Sequence, residues 1–178
     1  MKKLARPAET EYALYYHSFL QSLEEDCHVL NTLKQQMLDI EKTLLNLPET
    51  SLQFSYAPGK WTIRDILQHL IDCERVFIYR AMRFSRKDTT PLPFFDENEF
   101  ALQANANVKP IRKLIKEYKT TRLASLAFFS NLTTAQWKLK GIAGSTPTSV
   151  RACAWILCGH ERHHWKVIQE KYLSILSS

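Results

Sequence analysis

Residues Ser149–Leu173 read SVRACAWILCGHERHHWKVIQEKYL. Wound at about 100° per residue, Cys153, Leu157, His160, His164, Val167 and Ile168 fall on one side of a helix, while Arg151, Arg162, Lys166 and Gln169 fall opposite. This division predicts an amphipathic helix from near Thr148 to about Leu176. Such a helix must bury one face, so its partners have to be found elsewhere in the chain.

Three further segments carry the same period. A first helical region is expected over Glu9–Leu47, where Leu23, Leu30, Leu33, Met37, Ile40, Leu44 and Leu47 recur every three or four residues before Pro48 stops it. In YAPGKWTIRD, from Tyr56 to Asp65, Pro58 and Gly59 make a turn, and Thr62 with Asp65 three residues on resembles a capping box with Asp in place of Glu. A second helix then runs to about Phe84. A third spans roughly Pro110–Ser130, with Ile111, Leu114, Ile115, Tyr118, Leu123 and Leu126 inward and Pro110 suited to its first turn. GIAGSTPTSV separates it from the fourth.

Between the second and third helices, Ser85–Pro110 is irregular, holding Pro91, Pro93 and the acidic cluster FFDENEF. A connection of about 25 residues exceeds the usual link between adjacent helices. It is expected to span an end of the molecule as part of a substrate wall or a dimer contact. The fold class that follows is all-α, a four-helix bundle with a long crossover between helices two and three, formed by residues 1–178 as a single domain.

Composition agrees. The 178 residues include 45% hydrophobic and 24% charged side chains but only 4 glycines, which suits a globular helical chain and speaks against a sheet-rich one. The basic start MKKLARPAETEYALYY leads into polar and acidic residues rather than an apolar run, so neither a secretion signal nor a membrane span is expected, and the location expected is cytoplasmic. Cys27, Cys73, Cys153 and Cys158 lie singly in helix-like segments without CxxC spacing, as buried reduced thiols do. The net charge of +6 is spread along the chain with no basic run, which gives no support to a nucleic-acid partner.

His160 and His164 stand one helical turn apart on the apolar face, so their imidazoles can converge on one ion. His163 lies at the polar flank, as an exposed or supporting residue. A zinc-like ion needs a third protein ligand, and His69, aligned with Thr62, Ile66, Cys73 and Val76 on the inward side of helix two, is the candidate. Three histidines would leave a position open for water or substrate. The other reading of an inward histidine, a hydrogen-bonded core residue, stays open at this stage. His17 and His28 lack such partners and are read as structural or surface residues. Glu161, Asp65 and Asp72 lie nearest the histidines in helical direction and can accept protons or orient the imidazoles, although the simpler reading is surface or capping charges; Trp61 and Trp165 can wall a pocket but read first as packing. Arg80, Arg83, Arg86 and Lys87 concentrate positive charge at the end of helix two, where it can recruit an acidic substrate or thiol cofactor, although the simpler reading is that a helix C-terminus favours basic residues.

The block Lys60–Asp65, His69 seven residues after Thr62, TPLPFFDENEF and GHERHH occur in an order that resembles the DinB-like superfamily over nearly the whole chain. That resemblance implies a four-helix bundle, often a homodimer, with a divalent ion held by His69, His160 and His164. It further implies a metal-dependent enzyme acting on a small molecule, either a transferase that joins a low-molecular-weight thiol such as bacillithiol or mycothiol to an electrophile, or a hydrolase. Imidazole donors suit zinc, nickel, iron and copper, and zinc or nickel is the ion expected. No catalytic residue is assigned. The alternative is a metal-binding or purely structural interaction bundle without catalytic activity.

Overall fold

Thr62 starts the helix that positions the site. Its hydroxyl accepts from Asp65 N at 3.1 Å while Asp65 Oδ2 accepts from Thr62 N at 2.9 Å, so Asp closes the capping box as Glu would. In the computed structural model, which describes residues 4–176, this helix runs Ile63–Ser85 and is labelled α4. Before it come α1 (His17–Gln21), α2 (Val29–Leu44) and α3 (Glu49–Leu52). After it come α5 (Glu97–Gln103), α6 (Ile111–Ser130), α7 (Thr134–Trp137), strands β1 (Lys140–Ala143) and β2 (Thr146–Ser149), and α8 (Val150–Ile168). A π-helical turn, Gln169–Leu173, continues α8 into α9 (Ser174–Leu176).

The bundle consists of α2, α4, α6 and α8. Helix α4 packs on α6 and α8, and α2 packs on the same two, which sets α2 diagonally across from α4. The core divides into two apolar clusters. One holds Leu33, Phe77, Phe84, Phe129, Val150 and Trp155; the other holds Ile40, Ile66, Leu70, Leu114, Tyr118 and Ile168. The start of α4 therefore shares a cluster with the end of α8, as antiparallel neighbours do. Each bundle helix also contributes buried or half-buried polar residues: Gln36 from α2, His69 and Glu74 from α4, Arg122 from α6, His160 and Glu161 from α8. No helix of the described residues is long and apolar enough to cross a membrane.

Several expectations need correction. The first helical region is not continuous: 3-10 turns at Glu9–Glu11 and Leu14–Tyr16 precede α1, and residues 22–28 separate α1 from α2. Arg162 donates to the Ser22 carbonyl at 2.5 Å and to Glu24 at 3.0 Å, engaging a carbonyl that a continuing helix would use. Cys27 consequently lies in a loop, although all four cysteines are buried and free. Leu123 points outward at 53% exposure, because the buried stripe of α6 passes through Ile115, Tyr118, Arg122, Ser125 and Phe129.

The break GIAGSTPTSV is an antiparallel β-hairpin pairing Lys140 with Ser149 and Ala143 with Thr146. Gly144, at φ +62, takes the first central position of its two-residue turn, where a side chain would be strained. The hairpin pins the crossover, since Leu92 N donates to Ile142 O at 2.9 Å and Gly144 N to Leu92 O at 2.8 Å. The acidic cluster forms α5, capped by Asp96, whose Oδ1 accepts from Asn98 N at 2.9 Å.

Candidate metal centre

His69 lies two turns into α4, and His160 and His164 occupy successive turns of α8, so antiparallel packing sets the three side by side. His69 Nε2 is 2.9 Å from His160 Nε2, and His164 Nε2 is 3.0 Å from the same atom. His69 and His160 are buried and His164 is half-buried. Burial lowers the His69 pKa to about 4 and, with His69 and His163 nearby, that of His164 to about 3. His160 is held well below the ordinary range, by burial first and then by the neighbouring imidazoles. All three rings are therefore neutral at pH 7, the state in which imidazole ligates metal.

A neutral ring nitrogen carries one hydrogen or one lone pair, so His160 Nε2 cannot make a regular hydrogen bond with both neighbours. A divalent ion would use all three lone pairs. Nitrogens on a tetrahedral zinc, at about 2.0–2.1 Å from it, stand roughly 3.3 Å apart, within half an ångström of the spacing here. The donor set fits such an ion: the ligand atoms of His69, His160 and His164 lie within 4.8 Å of one another. Cys73 Sγ lies beside the His69 ring, 3.6 Å from Nδ1 and 3.7 Å from Nε2.

The surroundings hold the rings in place. The Trp61 ring lies 4.7 Å from His69 and 6.2 Å from His164, forming a wall of the site rather than remote packing. Phe19 lies 5.3 Å from His160 and 5.2 Å from His163, which is exposed at the flank as its helical position predicts. Gly159 allows this approach: a Cβ there would stand 2.2 Å from the Phe19 carbonyl oxygen.

Glu161 is not a surface charge. It is 1% exposed and pairs with Arg122, itself 1% exposed, with Nη1 to Oε1 at 3.1 Å. Arg122 Nε also donates to Glu74 at 2.9 Å, and its Nη1 donates to the Leu33 carbonyl at 2.8 Å. Burial opposes the Arg122 charge, but Glu161 and Glu74 outweigh it and raise its pKa well above the ordinary value. Burial likewise pushes the Glu161 carboxyl up, with Arg122 opposing. This cluster ties α8, beside His160, to α4 and α6.

The other candidates separate. Asp65 is the capping residue it was expected to be and also binds Asn107 at 3.0 Å. Asp72 accepts from Gln68 at 3.0 Å and pairs with Arg75. His17 lies beside Tyr12 and Gln21, and His28 is exposed at the start of α2. Trp165 packs against the cluster around Ile168. Arg83 pairs with Asp88, and Arg86 and Lys87 are exposed, whereas Arg80 is 4% exposed and its guanidinium lies over Phe77 and Phe95, so it is more than a charge at a helix end. A cavity of about 390 Å³ elsewhere is lined by Leu30, Phe129, Leu132 and Trp137 together with His28, Lys138 and Arg151, the last paired with Glu11.

One residue near the histidines carried no signal in the sequence beyond its place in an acidic run. Glu97, on the first turn of α5, brings a carboxylate oxygen within 4.8 Å of a His69 ring nitrogen and Cys73 Sγ. The crossover thus lies beside the histidines.

Comparison with known proteins agrees with this architecture. A protein of Oceanobacillus iheyensis named as a candidate metal-dependent hydrolase is 29% identical over 149 residues, covering 79% of this chain and 82% of its own length. YfiT of Bacillus subtilis, described as a probable metal-dependent hydrolase with an unusual four-helix bundle topology, superposes with a TM-score of 0.74 at 16% identity, over 96% of this chain and 93% of that one. A mycothiol-dependent maleylpyruvate isomerase shares the fold with a TM-score of 0.65 at 11% identity, over 82% of this chain and 60% of that one. The family model of the DinB superfamily matches residues 32–168, most of the bundle from α2 to the end of α8. On that match, the chain belongs to the DinB superfamily.

Proposed function

We propose that this chain is a metal-dependent hydrolase of small molecules, with a divalent ion, zinc or nickel, held by His69, His160 and His164. The observation that carries the reading is the convergence of three imidazoles from two helices, with His160 Nε2 2.9 Å from His69 Nε2 and 3.0 Å from His164 Nε2. Among the described residues no fourth Cys, Asp, Glu or His joins them to make a closed four-residue set. Three protein ligands with a position left over is the arrangement of catalytic rather than structural zinc.

When bound, such an ion supplies Lewis acidity and brings the pKa of a bound water to about 7. The protein's part is positional. His69, His160 and His164 present lone pairs, and Trp61 and Phe19 exclude bulk water from the rings. The buried Arg122 cluster anchors the α8 turn that carries His160. A small-molecule substrate and assembly of two copies complete the reading, the second resting on family resemblance.

Thiol S-transfer is the second reading, supported by the fold shared with the mycothiol-dependent isomerase. Both are tested on protein purified without tag or chelator. Elemental analysis should find about one ion per chain, lost in His160→Ala, and the native protein should hydrolyse p-nitrophenyl acetate. Metal retained by His160→Ala would remove the proposed ligand set. Conjugation of a bacterial thiol to monobromobimane without any ester hydrolysis would replace hydrolase by transferase.

A further inference from the structure

We propose that Glu97 is the acid–base residue of this centre, a role that rests on the hydrolase reading above. Its carboxylate oxygen, Cys73 Sγ and a His69 ring nitrogen all lie within 4.8 Å of one another. Groups within that limit can meet directly or through one water making two hydrogen bonds of about 2.8 Å, and a general base works in either way. Glu97 is thus close enough to take a proton from a molecule beside His69.

The other carboxylates near the histidines are committed elsewhere. Glu161 and Glu74 both bind the buried Arg122, Asp72 accepts from Gln68 and Arg75, and Asp65 closes the α4 cap. Glu97 is instead held by a phenol: Tyr15 O–H donates to Glu97 Oε1 at 3.0 Å. One neutral donor orients a carboxylate and leaves lone pairs free for a proton.

The fold also explains how a residue on a long connection is aimed. Arg80 Nη2 donates to the Pro93 carbonyl at 3.2 Å, and its guanidinium lies 5.6 Å from the centre of the Phe95 ring, two residues before Glu97. Asp96 caps α5 immediately before it, with Oδ1 accepting from Asn98 N and Glu99 N. Clamped on one side and capped on the other, the first turn of α5 faces α4. A base on a pinned helix turn loses little freedom when substrate binds.

In the step assigned to it, a Glu97 carboxylate oxygen takes a proton from the attacking water as the water oxygen bonds to the substrate's carbonyl carbon. The same proton then passes to the leaving group as the bond between it and the carbonyl carbon breaks. The carboxylate is regenerated, and the net change is addition of one water.

The test compares zinc-loaded native protein with Glu97→Gln and Glu97→Ala, using p-nitrophenyl acetate as probe and calorimetric zinc titration as the readout that does not depend on turnover. Zinc affinity should stay within about threefold in both variants, which also reports an intact bundle. The kcat of Glu97→Gln should fall by about 100-fold or more with KM little changed, and added formate should restore Glu97→Ala at least about tenfold but not Glu97→Gln. A loss under about tenfold in an otherwise active enzyme overturns the assignment. So does a drop in zinc affinity beyond about tenfold, since Glu97 would then be a ligand. An inactive native protein that still binds zinc refutes the hydrolase reading itself, and the role of Glu97 falls with it.

Discussion

Replacing Arg122 by Met tests whether the buried charge cluster supports the centre. Met keeps similar length and apolar packing but removes a guanidinium that serves two carboxylates and the Leu33 carbonyl. Glu74 and Glu161 are both 1% exposed, so after the change two carboxyls remain without a counter-charge in a space that cannot hydrate them. Breaking a buried pair from one side costs about 3–5 kcal/mol. For a chain of 178 residues the unfolding entropy is about 0.37 kcal/mol/K, so the melting temperature should fall by about 8–13 °C. Circular dichroism melting and guanidinium denaturation at pH 7 give the two measurements. Adding Glu74→Gln and Glu161→Gln to Arg122→Met should recover part of the loss, because the unpaired charges go with it. A fall below about 3 °C, or no recovery in the triple variant, would show that unpaired buried charge is not what Arg122 prevents.

Gly159→Ala should destabilise by about 1–3 kcal/mol despite the better helix propensity of alanine, since its Cβ would meet the Phe19 carbonyl at 2.2 Å and force α1 outward; an unchanged melting temperature refutes the close approach. Hydrogen bonds from Arg151 are the main cause that holds the Glu11 carboxyl down to about 2, below its ordinary 4.5. Its contribution is therefore complete above pH 4.5 and lost as pH falls toward 2, so Glu11→Gln should lower stability at neutral pH and flatten that acid limb, while an identical acid limb in both proteins counts against it. Zinc at 100 times its dissociation constant should stabilise the native protein by about 2.7 kcal/mol, near 7 °C in melting temperature, and His164→Ala should abolish the shift. An equal shift in His164→Ala would place the ion elsewhere.

The sequence carried the elements whose cause is local. Helix α4 is legible because Thr62 and Asp65 cap it within one turn, and α8 because its apolar residues repeat every three or four positions. The same periodicity sets His160 and His164 on one face and His69 on the inward side of α4, so the candidate ligands could be named before their distances were known. Periodicity fails where a partner far along the chain decides. Glu161 reads as a surface acid until Arg122, 39 residues away, is packed against it. Arg122 itself hides beside Leu123, because a charged residue on a buried stripe is stable only with its two carboxylates in place.

The turns between α1 and α2, and the hairpin of Lys140–Ser149, depend likewise on what they dock against: Arg162 on the Ser22 carbonyl, and Phe84 against Gly141, where any Cβ would stand 2.0 Å from the ring. Glu97 is the extreme case, one acid among several in the run Asp96, Glu97 and Glu99, set apart only by contacts with Tyr15 and α4. Repeats of three and four residues determined which helices form and which faces they bury. Tertiary packing decided which charges could be buried and which acid of the crossover faces the histidines, because the free energy of a charge depends on partners that the local sequence does not contain.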